Sequence, residues 1–138
     1  MSKLKQRVIV CGGRDFTDRD MLFSELDMHN ADWGPFELII EGGQRTRDPA
    51  TDEYIGGADY WAAVWAHERG IDCKTFEANW KKHGRAAGPI RNQQMIDEGK
   101  PDLIIAFPGG QGTRDMITRG NKAKLQQIWV IPDKSGHQ

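Results

Sequence analysis

Short apolar segments that run directly into glycines recur along this chain and constrain its fold more than any other feature. Three such segments and their turns are Arg7–Cys11 before Gly12-Gly13, Phe36–Glu41 before Gly42-Gly43, and Leu103–Phe107 before Pro108-Gly109-Gly110. Uninterrupted apolar character is typical of parallel strands that are covered on both faces. We therefore predict that each segment is a strand of a parallel sheet, and that the glycines form turns at its carboxyl end.

Segments with helical signals separate these strands. Thr17 is predicted to be the N-cap of a first helix, with Asp20 completing a near capping box, and a second helix over 60–69 stops at Gly70. Pro89 suits the first turn of a helix over 90–98, and a last helix runs from about Thr113, its predicted N-cap, to residue 126. Further strands are predicted at 71–76 and 128–131. This alternation predicts an α/β fold with a Rossmann-like, open, mainly parallel five-strand sheet and helices on both faces.

One domain over residues 1–138 is expected from the length, since a chain of 138 residues can bury its own core. Residues 44–55 are polar and proline-broken, and we predict an exposed insertion there. Residues 79–88 are predicted to form a basic loop, in which Trp80 either stacks on a base or is buried at an edge. Residues 133–138 are predicted to be a flexible tail.

Composition excludes several classes of function. The formal net charge of −1 provides no basic excess for nucleic acid, which is therefore the less expected partner. Cys11 and Cys73 lie in apolar stretches without metal-ligand spacing, so we predict small reduced core residues. No apolar run reaches the length of a membrane span, and the basic start of the chain is followed by too short an apolar run for a signal peptide. A cytoplasmic protein is expected.

The glycine turns predict a ligand cleft. In open α/β sheets ligands lie outside the carboxyl ends of the strands, and glycines before a helix let an anion approach free backbone N–H groups. The predicted ligand is a small nucleotide-like molecule with a phosphate. Its predicted contacts are Gly12, Gly13, Arg14, Gly42, Gly43, Asp59, Arg91, Asn92, Pro108, Gly109, Gly110, Gln111, Gly112 and Thr113.

Three carboxylates are candidates for catalysis: Glu41, Asp15 and Asp115. Each also has a simpler interpretation, since Asp15 can pair with Arg14 in solvent and Asp115 lies where the helix dipole favours an acid. Asp59 can equally be a helix cap. No nucleophile–base constellation is present in the sequence. No cofactor is predicted, although a phosphate ligand is compatible with Mg²⁺, and a homodimer is compatible with the sequence.

Four blocks of this sequence together resemble the SLOG superfamily, in particular its YspA-like branch. The blocks are residues 10–16, 41–43 with 57–59, 87–92 with Met95, and 107–116. The resemblance implies a Rossmann-like fold and a nucleotide-related ligand at the glycine loops. Relatives include the LOG phosphoribohydrolases, which release a base from a nucleoside monophosphate, the DNA-processing protein DprA, and nucleotide-sensing domains of defence systems.

Two departures from the LOG pattern bear on function. The LOG hydrolases have a glutamate three residues after the threonine of their glycine loop, and that position is Met116 here. Asp115 is one residue early, which turns a helical side chain by about 100°. Residues 44–55 resemble an insertion that could form a lid or a partner contact. The preferred hypothesis is nucleotide binding, with N-glycosidic hydrolysis and DprA-like single-strand binding as alternatives.

Overall fold

The computed structural model describes residues 5–133, and seven strands occur in this part of the chain. They are β1 (Gln6–Cys11), β2 (Phe36–Glu41), β3 (Thr46–Arg47), β4 (Tyr54–Gly56), β5 (Asp72–Thr75), β6 (Leu103–Ala106) and β7 (Gln127–Val130). Five of them form a sheet in the order β5-β2-β1-β6-β7, and all neighbours in it are parallel. The predicted α/β, Rossmann-like fold class is confirmed.

Five helices and one 3₁₀ turn accompany the sheet within the described residues. They are α1 (Arg19–Trp33), α2 (Ala58–Glu68), α3 (Trp80–His83), the 3₁₀ turn Gly84–Ala86, α4 (Ala87–Gly99) and α5 (Gln111–Lys122). Successive side chains of a strand point to opposite faces, so β1 contributes residues to the hydrophobic core on both sides of the sheet. Val8 and Val10 pack with α1 and α2, whereas Ile9 and Cys11 pack with α4 and α5.

The strand order changes direction between β1 and β6. The chain builds outward from β1 through β2 to β5 on one side, and from β6 to β7 on the other. The strands pair in close register, with Val10 opposite Ile105 and Cys11 opposite Ala106. The loops that follow β1 and β6 therefore leave the sheet side by side, at the point where doubly wound folds bind ligands.

Two helix starts differ from the sequence prediction. Asp18, and not Thr17, caps α1, because its carboxylate accepts a hydrogen bond from the Met21 N–H at 3.1 Å. Gly110 is the N-cap of α5, so Thr113 lies inside the first helical turn. Helix α5 therefore begins directly after the glycine loop, and its N-cap makes no side-chain hydrogen bond to the helix.

The predicted basic loop over 79–88 is wrong. It forms α3, the 3₁₀ turn and the start of α4. The Asn79 side chain accepts a hydrogen bond from the Lys82 N–H at 3.0 Å. This contact between residues close in sequence caps α3 and stabilises the short helix.

Residues 46–56 form a small antiparallel hairpin of β3 and β4, and residues 49–55 in it are exposed. Cys11 is buried as predicted, but Cys73 is exposed, because β5 is an edge strand of the sheet. Both thiols are free. Of the predicted tail, residues 134–138 lie outside the described part of the chain.

Candidate functional site

The loops after β1 and β6 pack directly on one another. The Gly13 N–H donates to the Pro108 carbonyl at 2.9 Å. A Cβ on Gly109 would lie 2.6 Å from the Gly13 nitrogen and would also collide with the Thr113 hydroxyl. Similarly, a Cβ on Gly12 would lie 2.6 Å from the Ala58 Cβ. These glycines are required for close backbone packing, and the contacts of Pro108 and Gly109 are structural.

A cleft of about 670 Å³ opens above this junction. Its walls are formed by the loops after β1 and β2, by Gln44 next to the hairpin of β3 and β4, and by the first turns of α2, α4 and α5. The predicted site residues that line it are Gly12, Gly13, Arg14, Asp15, Gly42, Asp59, Arg91, Asn92, Gly110, Gln111, Gly112, Thr113 and Asp115. Those that do not line it are Glu41, Gly43, Pro108 and Gly109. Their contacts with a ligand stay a prediction, but most of them do converge.

The first turn of α5 faces the cleft with its backbone exposed. The cap residue Gly110 provides no side-chain hydrogen bond to the helix. The first intrahelical donor is the Arg114 N–H, which reaches the Gly110 carbonyl at 3.1 Å. The N–H groups of residues 111–113 have no acceptor within residues 5–133. A Cβ on Gly110 or Gly112 would meet no atom of residues 5–133 within 4 Å, so the space at these two positions, at the positive end of the helix dipole, is open in the described part of the chain.

A buried cluster of charges lies under the cleft, formed by Glu41, Asp59 and Arg91. Glu41 is fully buried, and its carboxylate accepts hydrogen bonds from the Gly43 N–H at 2.6 Å and from the Thr75 hydroxyl. Burial raises its pKa, although these hydrogen bonds act to lower it. Both carboxylate oxygens are engaged below the surface and Glu41 does not line the cleft, so its catalytic role stays a prediction that this geometry does not favour.

Asp59 borders the cleft but is only 5% exposed. Its Oδ2 accepts a hydrogen bond from the Gln44 N–H at 3.0 Å, which fixes the start of the hairpin segment. Burial raises the pKa of this carboxyl to about 7, and the neighbouring Glu41 charge adds to the rise. The carboxyl can therefore gain or lose a proton near neutral pH. Asp59 lies at the second position of α2, and Gly57 is the cap, so Asp59 is not the helix cap.

Arg91 is 6% exposed and is held mainly by the protein itself. Its Nη1 donates to the Gly42 carbonyl, and a Cβ on Gly42 would lie 2.5 Å from that nitrogen. Its Nε donates to the Asn92 side chain at 3.0 Å. Burial lowers the pKa of the guanidinium, against the opposing effect of the Asp59 and Glu41 charges. Only Nη2 lacks a partner within the described residues, so at most one edge of the guanidinium is available to a ligand.

Asn92 connects α4 to the start of α5. Its Nδ2 donates to the Gly112 carbonyl at 3.2 Å and to Asp115 Oδ2 at 3.0 Å. Asp115 also pairs with Arg119 at 2.8 Å. Burial acts to raise the pKa of Asp115, but the hydrogen bonds from Arg119 and Asn92 lower it below its ordinary value. The Asp115 carboxylate is therefore bound to Asn92 and Arg119, and these contacts hold the first turn of α5 in place.

The rim of the cleft carries exposed side chains. Arg14 and Asp15 lie at its β1 side, and the Arg14 carbonyl accepts a hydrogen bond from the Thr46 hydroxyl of the hairpin. Trp80 of α3 and Arg85 of the 3₁₀ turn also line the cleft. Gln44 and Arg85 were not among the predicted site residues, whereas for Trp80 the sequence left base stacking and edge burial open.

Neither a metal centre nor a membrane segment is evident in the described chain. Within residues 5–133, no three His, Cys, Asp or Glu side chains form a group that could hold a metal ion. No helix in the same range has both the length and the apolar character needed to cross a bilayer.

A parallel sheet with glycine-rich loops meeting at its switch point defines a Rossmann-like domain. The family model described as "YspA, cpYpsA-related SLOG family" matches residues 6–83. The chain belongs to this family, which confirms the resemblance found in the sequence.

A phage protein and a solved enzyme are also similar to this chain. The Gene 61 protein of Mycobacterium phage D29 is 30% identical over 128 residues, which span 89% of this chain and 94% of the phage protein. The crystal structure of glycinamide ribonucleotide transformylase 1 from Symbiobacterium toebii matches with 14% identity and a TM-score of 0.44. The match covers 83% of this chain but only 47% of that structure. A TM-score this low does not establish a shared fold.

Proposed function

We propose that the cleft binds a nucleotide or a nucleotide-derived phosphate, with the phosphate on the first turn of α5. The observation that carries this proposal is the helix start over 110–113, which lines the cleft and whose N–H groups at 111–113 have no acceptor within residues 5–133. Helix starts of this kind bind phosphates because their N–H groups and dipole both favour an anion. The family to which the chain belongs supports a nucleotide-related ligand.

Three arginines line the cleft beside three aspartates, and the exposed arginines support an anionic ligand. Arg14 and Arg85 are exposed and line the cleft, and buried Arg91 offers only the Nη2 edge of its guanidinium. Guanidinium groups bind phosphates bidentately. The volume of about 670 Å³ lies within the range of small-molecule sites and is sufficient for a nucleoside monophosphate.

The direct test is calorimetric titration with the four nucleoside 5′-monophosphates and ribose 5-phosphate. Gly110→Val should fold normally, because a Cβ at this position meets no other atom. The branched side chain should block the α5 N–H groups and weaken binding at least tenfold, about 1.4 kcal/mol. Thr118→Val is the matched control, since it places the same side chain at an exposed position two turns along α5.

Two results would overturn the proposal. One is the absence of measurable binding of all five compounds to the wild-type protein at millimolar concentration. The other is an unchanged affinity in Gly110→Val. Equal weakening by Thr118→Val would show that the effect is not local to the cleft.

The hydrolytic alternative has weaker support from the geometry. Met116, at the LOG glutamate position, is buried and lines the cleft, while Asp115 is bound to Asn92 and Arg119. Asp15 and Asp59 remain as cleft carboxylates without an ion pair in the described chain. Chromatography of the incubated monophosphates would detect free base if hydrolysis occurs. Salt-sensitive binding of oligonucleotides at physiological ionic strength would favour the DprA-like alternative instead.

A further inference from the structure

We infer that Trp80 is a stacking platform for the planar base of a nucleotide, and that Arg85 beside it contacts the same base. This inference rests on the proposed function, because it assigns the second half of a ligand whose phosphate lies at α5. It names the class of ligand as one that carries an aromatic base and a phosphate, in contrast to a sugar phosphate.

The exposure of Trp80 is the first observation. Its side chain is 53% exposed although it lines the cleft. Trp33 is exposed to a similar degree, 48%, but lies on α1 and does not line the cleft. A half-exposed indole in the wall of a concave site offers a flat apolar face that a base can cover.

A glycine in α4 makes room for the ring. A Cβ on Gly88 would lie 3.3 Å from Trp80 Cη2, closer than ordinary packing. Glycine in the first turn of a helix costs stability relative to alanine, and here the missing side chain lets the indole lie against the α4 backbone. The ring edge is therefore supported from below, while more than half of the side chain stays exposed.

The backbone around the indole is also ordered. Trp80 is the first residue of α3, and the capping hydrogen bond from the Lys82 N–H to Asn79 Oδ1, at 3.0 Å, holds this turn. The indole needs only two side-chain torsions to be set, so little conformational entropy is lost when a base stacks on it.

Arg85 supplies polar contacts on the same wall. It follows α3 in the 3₁₀ turn and is exposed, and its side chain makes no ion pair or hydrogen bond within residues 5–133. A free guanidinium can stack on a base or donate to its carbonyl and ring nitrogen acceptors. The two side chains are therefore arranged to receive a flat, acceptor-bearing group.

The experiment compares ligands that differ only in the base. Calorimetry should show that at least one of AMP, GMP, CMP and UMP binds about tenfold more tightly than ribose 5-phosphate. Trp80→Ala should reduce the affinity for that monophosphate about tenfold and leave the affinity for ribose 5-phosphate unchanged. Trp80→Phe should restore part of the loss, because a smaller aromatic ring still stacks. Trp33→Ala is the matched control and should change neither affinity.

Fluorescence provides a readout independent of affinity. The monophosphate should quench the indole emission of the wild-type protein and of Trp33→Phe, whereas Trp80→Phe should lose this quenching. Equal binding of ribose 5-phosphate and all four monophosphates, with equal effects of Trp80→Ala on them, would overturn the inference and leave the proposed function standing. Failure of all five compounds to bind would overturn both.

Discussion

The floor and the rim of the cleft differ in how their charges are used. In the floor, Arg91 is buried, bonded to backbone carbonyls and surrounded by Asp59 and Glu41. On the rim, Arg14 and Arg85 are exposed and make no ion pair within the described residues. The same side-chain type therefore has two roles. The floor holds neighbouring loops together, and the rim and the α5 start are available to a ligand.

The largest expected effect is a loss of unfolding free energy when Arg91 in the floor of the cleft is replaced. Arg91→Ala leaves Asp59 and Glu41 without their buried counter-charge and frees the Gly42 carbonyl. Loss of one member of a buried charge cluster costs about 3 to 5 kcal/mol of unfolding free energy. Urea denaturation measures this loss. Arg14→Ala is the control on the rim and should change stability by less than about 0.5 kcal/mol.

An equal and small effect of both arginine substitutions would remove the distinction between floor and rim. Under that outcome, Arg91 would be as free as Arg14 to bind a ligand.

The next effect is a pH dependence that originates at Asp59. Its pKa is about 7 in the folded protein, against an ordinary value of 3.8, so the folded state binds more protons than the unfolded chain between these values. Stability from this group is therefore fully present below about pH 4 and is lost as the pH rises through 7.

Asp59→Asn tests this dependence, because the amide cannot ionise. Its unfolding free energy relative to wild type should rise with pH between about 4 and 7, with a slope of up to about 1.4 kcal/mol per pH unit. A difference that stays constant across this range would show that the Asp59 carboxyl is not perturbed by burial and by Glu41.

Two adjacent glycines allow a matched comparison of fold and site. Gly109→Ala should cost about 1 to 3 kcal/mol through overpacking, because its Cβ would lie 2.6 Å from the Gly13 nitrogen. Gly110→Ala should cost less, about 1 kcal/mol or below, since its Cβ meets nothing and only the N-cap preference for glycine over alanine is lost. Thermal unfolding distinguishes the two variants. Equal stability of both would mean that the β1 and β6 loops are not packed as described.

The smallest expected effect concerns the rim arginines. The double variant Arg14→Ala/Arg85→Ala should weaken binding of a nucleoside monophosphate about tenfold, or about 1.4 kcal/mol, without loss of stability. The control Lys82→Ala/Arg114→Ala removes the same charge from exposed residues outside the cleft. Calorimetry should show little change for the control. An equal loss in both variants would indicate a general charge effect in place of direct contacts.

The sequence was sufficient for the five strands of the parallel sheet and for the glycine turns at their ends, because both depend on local patterns, but it did not predict β3 and β4. The second strand was predicted over 36–41, and β2 has these bounds. The state of the floor could not be predicted in the same way. The burial of Arg91 depends on Gly42 and Phe76, which are far away along the chain. The pKa of Asp59 depends on Glu41 in another element, and only the assembled fold brings the two together.

The exposure of Trp80 in the wall of the cleft also could not be predicted from local sequence patterns. Trp80 had two interpretations, since stacking and edge burial give the same sequence signal. The structure shows it half-exposed against Gly88. Cys73 is exposed because β5 lies at the edge of the sheet, a position that the weaker apolar character of residues 71–76 indicates.

The most direct test of phosphate binding at α5 is a titration of the ¹⁵N-labelled protein with a nucleoside monophosphate, followed through its backbone amide resonances. The largest shifts should occur at Gln111, Gly112 and Thr113, whose N–H groups have no acceptor within residues 5–133. Ribose 5-phosphate should shift the same three amides. Saturable shifts confined to other surfaces, with these amides unchanged, would contradict binding at the start of α5.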